Sequence, residues 1–104
     1  MKRVYISGPM TGIIEYNYPA FDQAAIVLSE KGYEPVNPAA ISRVLEREYA
    51  EMNLTPNRFD YLKRDISELV KCDGIFMLTG WTSSAGANLE RLIALSCGIE
   101  EITI

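Results

Sequence analysis

Apolar and polar positions along this 104-residue chain change their spacing several times, and each change marks an element. "RVYIS" (Arg3 to Ser7) is a short β-branched and aromatic run closed by Ser-Gly-Pro, the pattern of a strand that ends in a loop. In "YPAFDQAAIVLSEKGYEPVNP", Pro19 suits a first helical position. Phe21, Ala24, Ala25 and Leu28 then recur at helical spacing, and Gly32 stops the helix. "YEPVN" predicts a second, short strand. "PAAISRVLE" predicts a helical turn or two, and "REYAEMNLTPN" an irregular excursion. From Thr55, a capping residue followed by Pro56, a long helix is expected to about Lys71, with Phe59, Leu62, Ile66, Leu69 and Val70 on its inner stripe.

"GIFMLT" is the third strand, and its unbroken apolar character fits a strand covered on both faces, as in a parallel sheet. A final helix is expected over roughly Ala87 to Cys97, ended by Gly98, with "EITI" as a last strand. Strands alternating with helices predict a three-layer, doubly wound α/β fold of the flavodoxin or Rossmann type, with a mostly parallel sheet of four to five strands. In such sheets ligands sit outside the carboxyl ends of the strands, here the loops after Ser7 and after Thr79.

Composition narrows the picture. With 48% apolar residues and no linker or repeat, residues 1–104 form one domain with a single core. No stretch approaches the ~18 uninterrupted apolar residues of a membrane helix, and "MKRVYISG" passes straight into a strand, so a cytoplasmic protein is expected. Cys72 and Cys97 lie outside any CxxC and read as buried, reduced thiols. Histidine is absent, which excludes Ser/His and Cys/His nucleophile pairs and histidine metal sites. A net charge of −4 with scattered Lys and Arg argues against long nucleic acid as a partner and leaves a small ligand.

Two loops and two carboxylates then carry the candidate chemistry. "SGPMTG" (Ser7 to Gly12) places two glycines, a serine and a threonine past a strand, where backbone N–H groups can meet an anion; an ordinary turn reads the same way. In "WTSSAGANLE" (Trp81 to Glu90), Ser83 or Ser84 can cap the helix and Gly86 permits close backbone approach. Glu90 lies six residues past Ser84, too far to close a capping box. It reads either as a locally paired acid near a helix start or as an ionised carboxylate aimed at an electrophilic carbon. Asp65, in "YLKRDISEL", flanks the buried stripe of its helix and either meets Glu90 in one cleft or belongs to a solvated face with Lys63, Arg64 and Glu68. Of the aromatics Tyr5, Tyr16, Tyr18 and Trp81, Tyr5 alternates in the first strand as core or site. Trp81 either stacks on a planar base or packs.

"VYISGPMTG", "RDISELVKCDGIFML" and "SAGANLE" together resemble the nucleoside 2-deoxyribosyltransferase superfamily, over nearly the whole chain except Ala40 to Pro56. The pattern is most similar to small, often phage-encoded members and to the nucleoside 5′-monophosphate N-glycosidases. The resemblance implies that Glu90 is the nucleophile attacking the sugar's anomeric carbon and that Asp65 binds the nucleoside or protonates the leaving base. It places Ser84 where monophosphate-specific members bind phosphate, and Ser7, Gly8 and the turn to Gly12 in the first ligand loop. The arginine that some members carry in that loop is replaced by the Met10–Thr11 region.

Substrate contacts are accordingly expected from Tyr5, Ser7, Gly8, Gly12, Trp81, Ser84 and Gly86, with no metal or redox cofactor. Family members often close the pocket with residues after the last strand, sometimes from a neighbouring subunit, whereas this chain ends at Ile104; a homodimer or higher homo-oligomer is expected. The implied activity is N-glycosidic bond cleavage of a nucleotide or nucleoside through a covalent glycosyl intermediate, as hydrolase or transferase in the cytoplasm, a host's if the chain is phage-encoded. The alternatives are a non-catalytic nucleotide-binding or nucleotide-sequestering module and an interaction protein with a vestigial pocket.

Overall fold

The computed structural model describes residues 1–104. Its elements run β1 (Arg3–Ser7), α1 (Tyr18–Glu30), β2 (Glu34–Val36), α2 (Pro38–Glu51), α3 (Arg58–Leu69), β3 (Gly74–Met77), α4 (Ala85–Ser96) and β4 (Glu100–Glu101). Short 3-10 turns at Ile14–Asn17 and Trp81–Ser83 precede α1 and α4. All strand pairs are parallel, in the order β2-β1-β3-β4. The fold is therefore a four-stranded, all-parallel α/β domain flanked by four helices, a three-layer Rossmann-like arrangement. No helix is long and apolar enough to cross a membrane.

The two-residue period of β1 decides which side chains reach which layer. Val4 and Ile6 point to one face, where α1 seats Phe21, Ala24 and Leu28. Tyr5 points to the other, among Leu69 at the end of α3, Ile75 of β3 and Ala94 of α4. Helix α2 is tied to α1 by Arg43–Asp22 at 2.9 Å and to α3 by Arg64–Glu48 at 3.0 Å, so it closes the side of the domain between them.

Several boundaries differ from the sequence reading. The excursion expected after Glu46 is instead the continuation of α2, a 14-residue helix capped by Asn37, whose side chain accepts from the Ala39 N–H at 3.0 Å. Its buried positions are Pro38, Ala39, Ser42 and Leu45, so small and polar residues carry a stripe that apolar periodicity underweights. Helix α3 begins later than Thr55, at a reciprocal capping box: Asn57 accepts from the Asp60 N–H at 3.0 Å and Asp60 from the Asn57 N–H at 2.8 Å. The inner stripe expected on α3 is largely outward. Leu69 is buried, but Phe59, Leu62 and Val70 are exposed, because α3 covers the sheet only near its C-terminal end. Of "EITI", only Glu101 joins Glu100 in the last strand, while Ile102 packs into the α1 layer. Cys72 is buried as expected; Cys97 is exposed, just past α4.

Two glycines are held by proximity. A Cβ on Gly8 would lie 2.7 Å from Leu78 Cβ, and one on Gly74 would lie 2.7 Å from Ile102 Cγ1, so neither site admits a side chain without displacement. A Cβ on Gly86 would find nothing closer than 4.0 Å. Gly8→Ala is therefore expected to cost about 1–3 kcal/mol of stability by urea denaturation, while Gly86→Ala, near the start of a helix and in open space, is expected to be neutral or slightly stabilising.

Candidate active site

The strand order reverses between β1 and β3, and the loops leaving those two strands diverge to make a cleft of about 840 Å³ at their carboxyl ends. Glu90 and Asp65 both line it. Glu90 is on the inner stripe of α4, one turn from Ala87 and one from Ala94, and is only 8% exposed. Burying a carboxylate is costly unless its oxygens are satisfied. Here each oxygen has its own donor: the Tyr5 hydroxyl donates to Oε2 and the Ser7 hydroxyl to Oε1, each at 2.6 Å. Tyr5 and Ser7 are two residues apart on β1 and so share the face that meets α4. The paired donors leave the carboxylate rigid beneath the cleft.

The segment before α4 shows how Glu90 is placed. Ser84 caps the helix, its Oγ accepting from the Ala87 N–H at 3.1 Å, and this leaves its own O–H proton free to donate. The Asn88 amide donates to the carbonyls of Trp81, Thr82 and Ser84 at 3.2, 3.1 and 2.8 Å, locking the preceding turn against the helix. Ser84 and Gly86 both line the cleft.

The carboxyl groups differ in what surrounds them. Burial, and then the charge of Glu90, push the Asp65 carboxyl up to about 8, and its Oδ1 is buried with no hydrogen-bond partner. Burial also raises Glu90, but the hydroxyls of Ser7 and Tyr5 favour its charged form and oppose that shift. Asp65, with no donor to favour its charged form, is the better proton holder of the two, while the two hydroxyl donors favour a charge on Glu90. Burial and the neighbouring Glu90 charge drive the Tyr5 hydroxyl well above its ordinary value, so it remains a donor.

The other sequence candidates separate. Gly8 lines the cleft while packing on Leu78. Tyr5 and Ser7 are fully buried and act on Glu90 rather than opening on the cleft. Gly12 lies outside the lining and has φ +80°, which makes it the residue that lets the loop turn. Trp81 is also outside it: the Arg91 guanidinium lies 5.0 Å from its ring centroid and is itself held by Glu101 at 2.6 Å, so the indole packs. Tyr18 similarly lies under Arg43 at 5.1 Å, and Tyr16 is exposed. The sequence reading missed Arg58, Phe59 and Tyr61 as cleft residues, although Arg58, Leu62 and Asp65 are spaced at i, i+4 and i+7 and so share one face of α3. No cluster of three or more acidic or cysteine side chains is arranged to hold a metal ion.

The family model described as a domain of unknown function (DUF4406) matches residues 2–103, nearly the entire chain. The chain belongs to that family. No curated protein matches it. In this DUF4406 domain, Glu90, Tyr5 and Ser7 form one unit across the sheet, and Asp65 is the group facing it.

The raised Asp65 value carries a stability consequence. Because the folded state holds a proton up to about pH 8 that the unfolded chain releases near the ordinary aspartate value of 3.8, stability falls as pH rises through that window and levels above it. Asp65→Asn removes this dependence. Its gain over the native chain in urea denaturation is expected to grow between pH 4 and 8, reaching on the order of 1–3 kcal/mol.

Proposed function

We propose that this domain cleaves the N-glycosidic bond of a nucleotide or nucleoside. The observation that supports this reading best is the asymmetric carboxyl pair: a Glu90 carboxyl with both oxygens fixed by hydroxyl donors, and an unpartnered Asp65 in the same cleft, which burial pushes up to about 8. Such a pair matches the two roles that retaining glycoside cleavage needs, a nucleophile and an acid.

In the proposed reaction, one Glu90 oxygen bonds to the anomeric carbon as the carbon–nitrogen bond breaks. The bonding electron pair leaves on the base nitrogen, which takes the Asp65 proton. A water molecule, or a second nucleobase, then attacks the same carbon. Its proton passes to the Asp65 carboxylate and Glu90 is released. Tyr5 and Ser7 hold the attacking carboxylate in place before and after the step. The apolar side chains of Met10, Phe21, Phe59 and Leu62, all lining the cleft, offer surface for a planar base.

Self-association belongs to the same reading. Phe59 and Leu62 of α3, which line the cleft, and Leu89, Leu92 and Leu95 of α4 are exposed, apolar area suited to a second copy of the chain. Light scattering at micromolar concentration is expected to give a dimer or a multiple of one, with Leu92→Glu shifting it toward monomer; a native monomer would count against self-association.

The activity is tested by incubating the protein with a panel of nucleotides and nucleosides and measuring free base by chromatography. Glu90→Ala and Glu90→Gln are expected to abolish base release while retaining ligand binding. Activity that depends on protonated Asp65 should decline as pH rises through about 8. Undiminished release by Glu90→Ala would end the covalent mechanism. Binding without release by the native chain would favour the sequestering module.

A further inference from the structure

Arg58 is the one basic residue that lines the cleft. Its position is not explained by local stability. It is the first residue of α3, where the helix dipole disfavours a cation. The acid nearest to it along the helix, Asp60, is turned back onto the Asn57 N–H. Arg3, Arg43, Arg64 and Arg91 each lie within 4 Å of a carboxylate; Arg47 and Arg58 do not, and of these two only Arg58 lines the cleft. Its guanidinium lies over the Phe59 ring, 4.9 Å from the centroid, which orients the group without neutralising it.

Arg58 also stands in a useful relation to the carboxyl groups. It precedes Asp65 by seven residues on one helix face, about 10 Å along the axis at the helical rise. The cleft is thus anionic near Glu90 and cationic two helical turns away at the start of α3. A ligand that presents its sugar to Glu90 must keep any negative charge away from that carboxylate. The Arg58 end of the cleft is where such a charge is favoured, and Ser84, which lines the same cleft, keeps a free O–H. A guanidinium fork matches phosphoryl oxygens in two-point contact.

We propose that Arg58 is a specificity-determining residue that binds a phosphoryl group on the ligand and so selects nucleotides over nucleosides in this cleft. The inference rests on the N-glycosidic reading for the kind of ligand, and it supplies from α3 the cation that the first loop lacks.

Equilibrium binding tests it, measured by calorimetry on the Glu90→Gln chain with nucleoside 5′-monophosphates and their parent nucleosides as probes. The monophosphate is expected to bind more tightly than the nucleoside, with the difference shrinking as sodium chloride is added. Arg58→Gln is expected to weaken monophosphate binding about tenfold and leave nucleoside binding unchanged, with Arg58→Lys recovering part of the loss. Equal weakening of both ligands, no effect on either, no preference for the monophosphate, or no binding of any probe would each overturn the proposal. Arg58-dependent binding by a native chain that releases no base would uphold this inference and end the glycosidase reading. Base release from nucleosides, with monophosphates bound no better, would do the reverse.

Discussion

A carboxylate buried between a helix and a parallel sheet is the constraint on which the rest of this domain depends. Glu90 replaces an apolar residue on the inner stripe of α4, and an unsatisfied carboxylate there would cost several kcal/mol. The fold meets that cost with two hydroxyls of β1, one for each oxygen. Both donors must come from the same face of the strand, which ties the register of β1 beneath α4 to the position of a single side chain. The cap at Ser84 and the amide of Asn88 serve the same end by determining where α4 begins.

The sheet order makes room for the site. With β1 and β3 adjacent and β2 outside β1, α1 covers one face while the C-terminal end of α3, together with α4, covers the other. The loops after β1 and β3 part, and the N-terminal halves of α3 and α4 line the opening. Helix α3 therefore leaves Phe59 and Leu62 outside the core and carries Arg58, Leu62 and Asp65 along the cleft. Asp65 gains a proton from the same geometry, since burial and the neighbouring anion both disfavour its charged form.

Much of this was legible in the chain because strands announce themselves by short apolar runs and turn residues. The run Arg3 to Ser7 predicts β1 at its observed bounds, and the parallel-sheet rule points to the two loops that form the cleft. Glu90 stood out because neither capping nor helix amphipathicity accounts for a carboxylate six residues past the cap. The length of α2 was obscured by Ser42 among its buried positions. The stripe on α3 differs from expectation because helical spacing identifies a shared face without saying whether a core or a cleft lies against it. For Trp81 the sequence leaves stacking on a base and packing equally open, because the Arg91 and Glu101 contacts from α4 and β4 that hold the indole exist only in the folded chain.

By itself the sequence determined the alternation of elements, the parallel sheet, the absence of histidine chemistry and the few residues able to carry a reaction, because these depend on local spacing and residue type. Only the tertiary structure decided which of them meet. Tyr5 and Ser7 become donors to Glu90 across more than eighty residues of chain, and Asp65 becomes a protonated group instead of a surface charge. Arg58 enters the cleft for the same reason. Hydrogen bonding, desolvation and charge coupling act over a few ångströms of space, and that proximity is created by β1 lying at the centre of the sheet with α3 and α4 packed over one face.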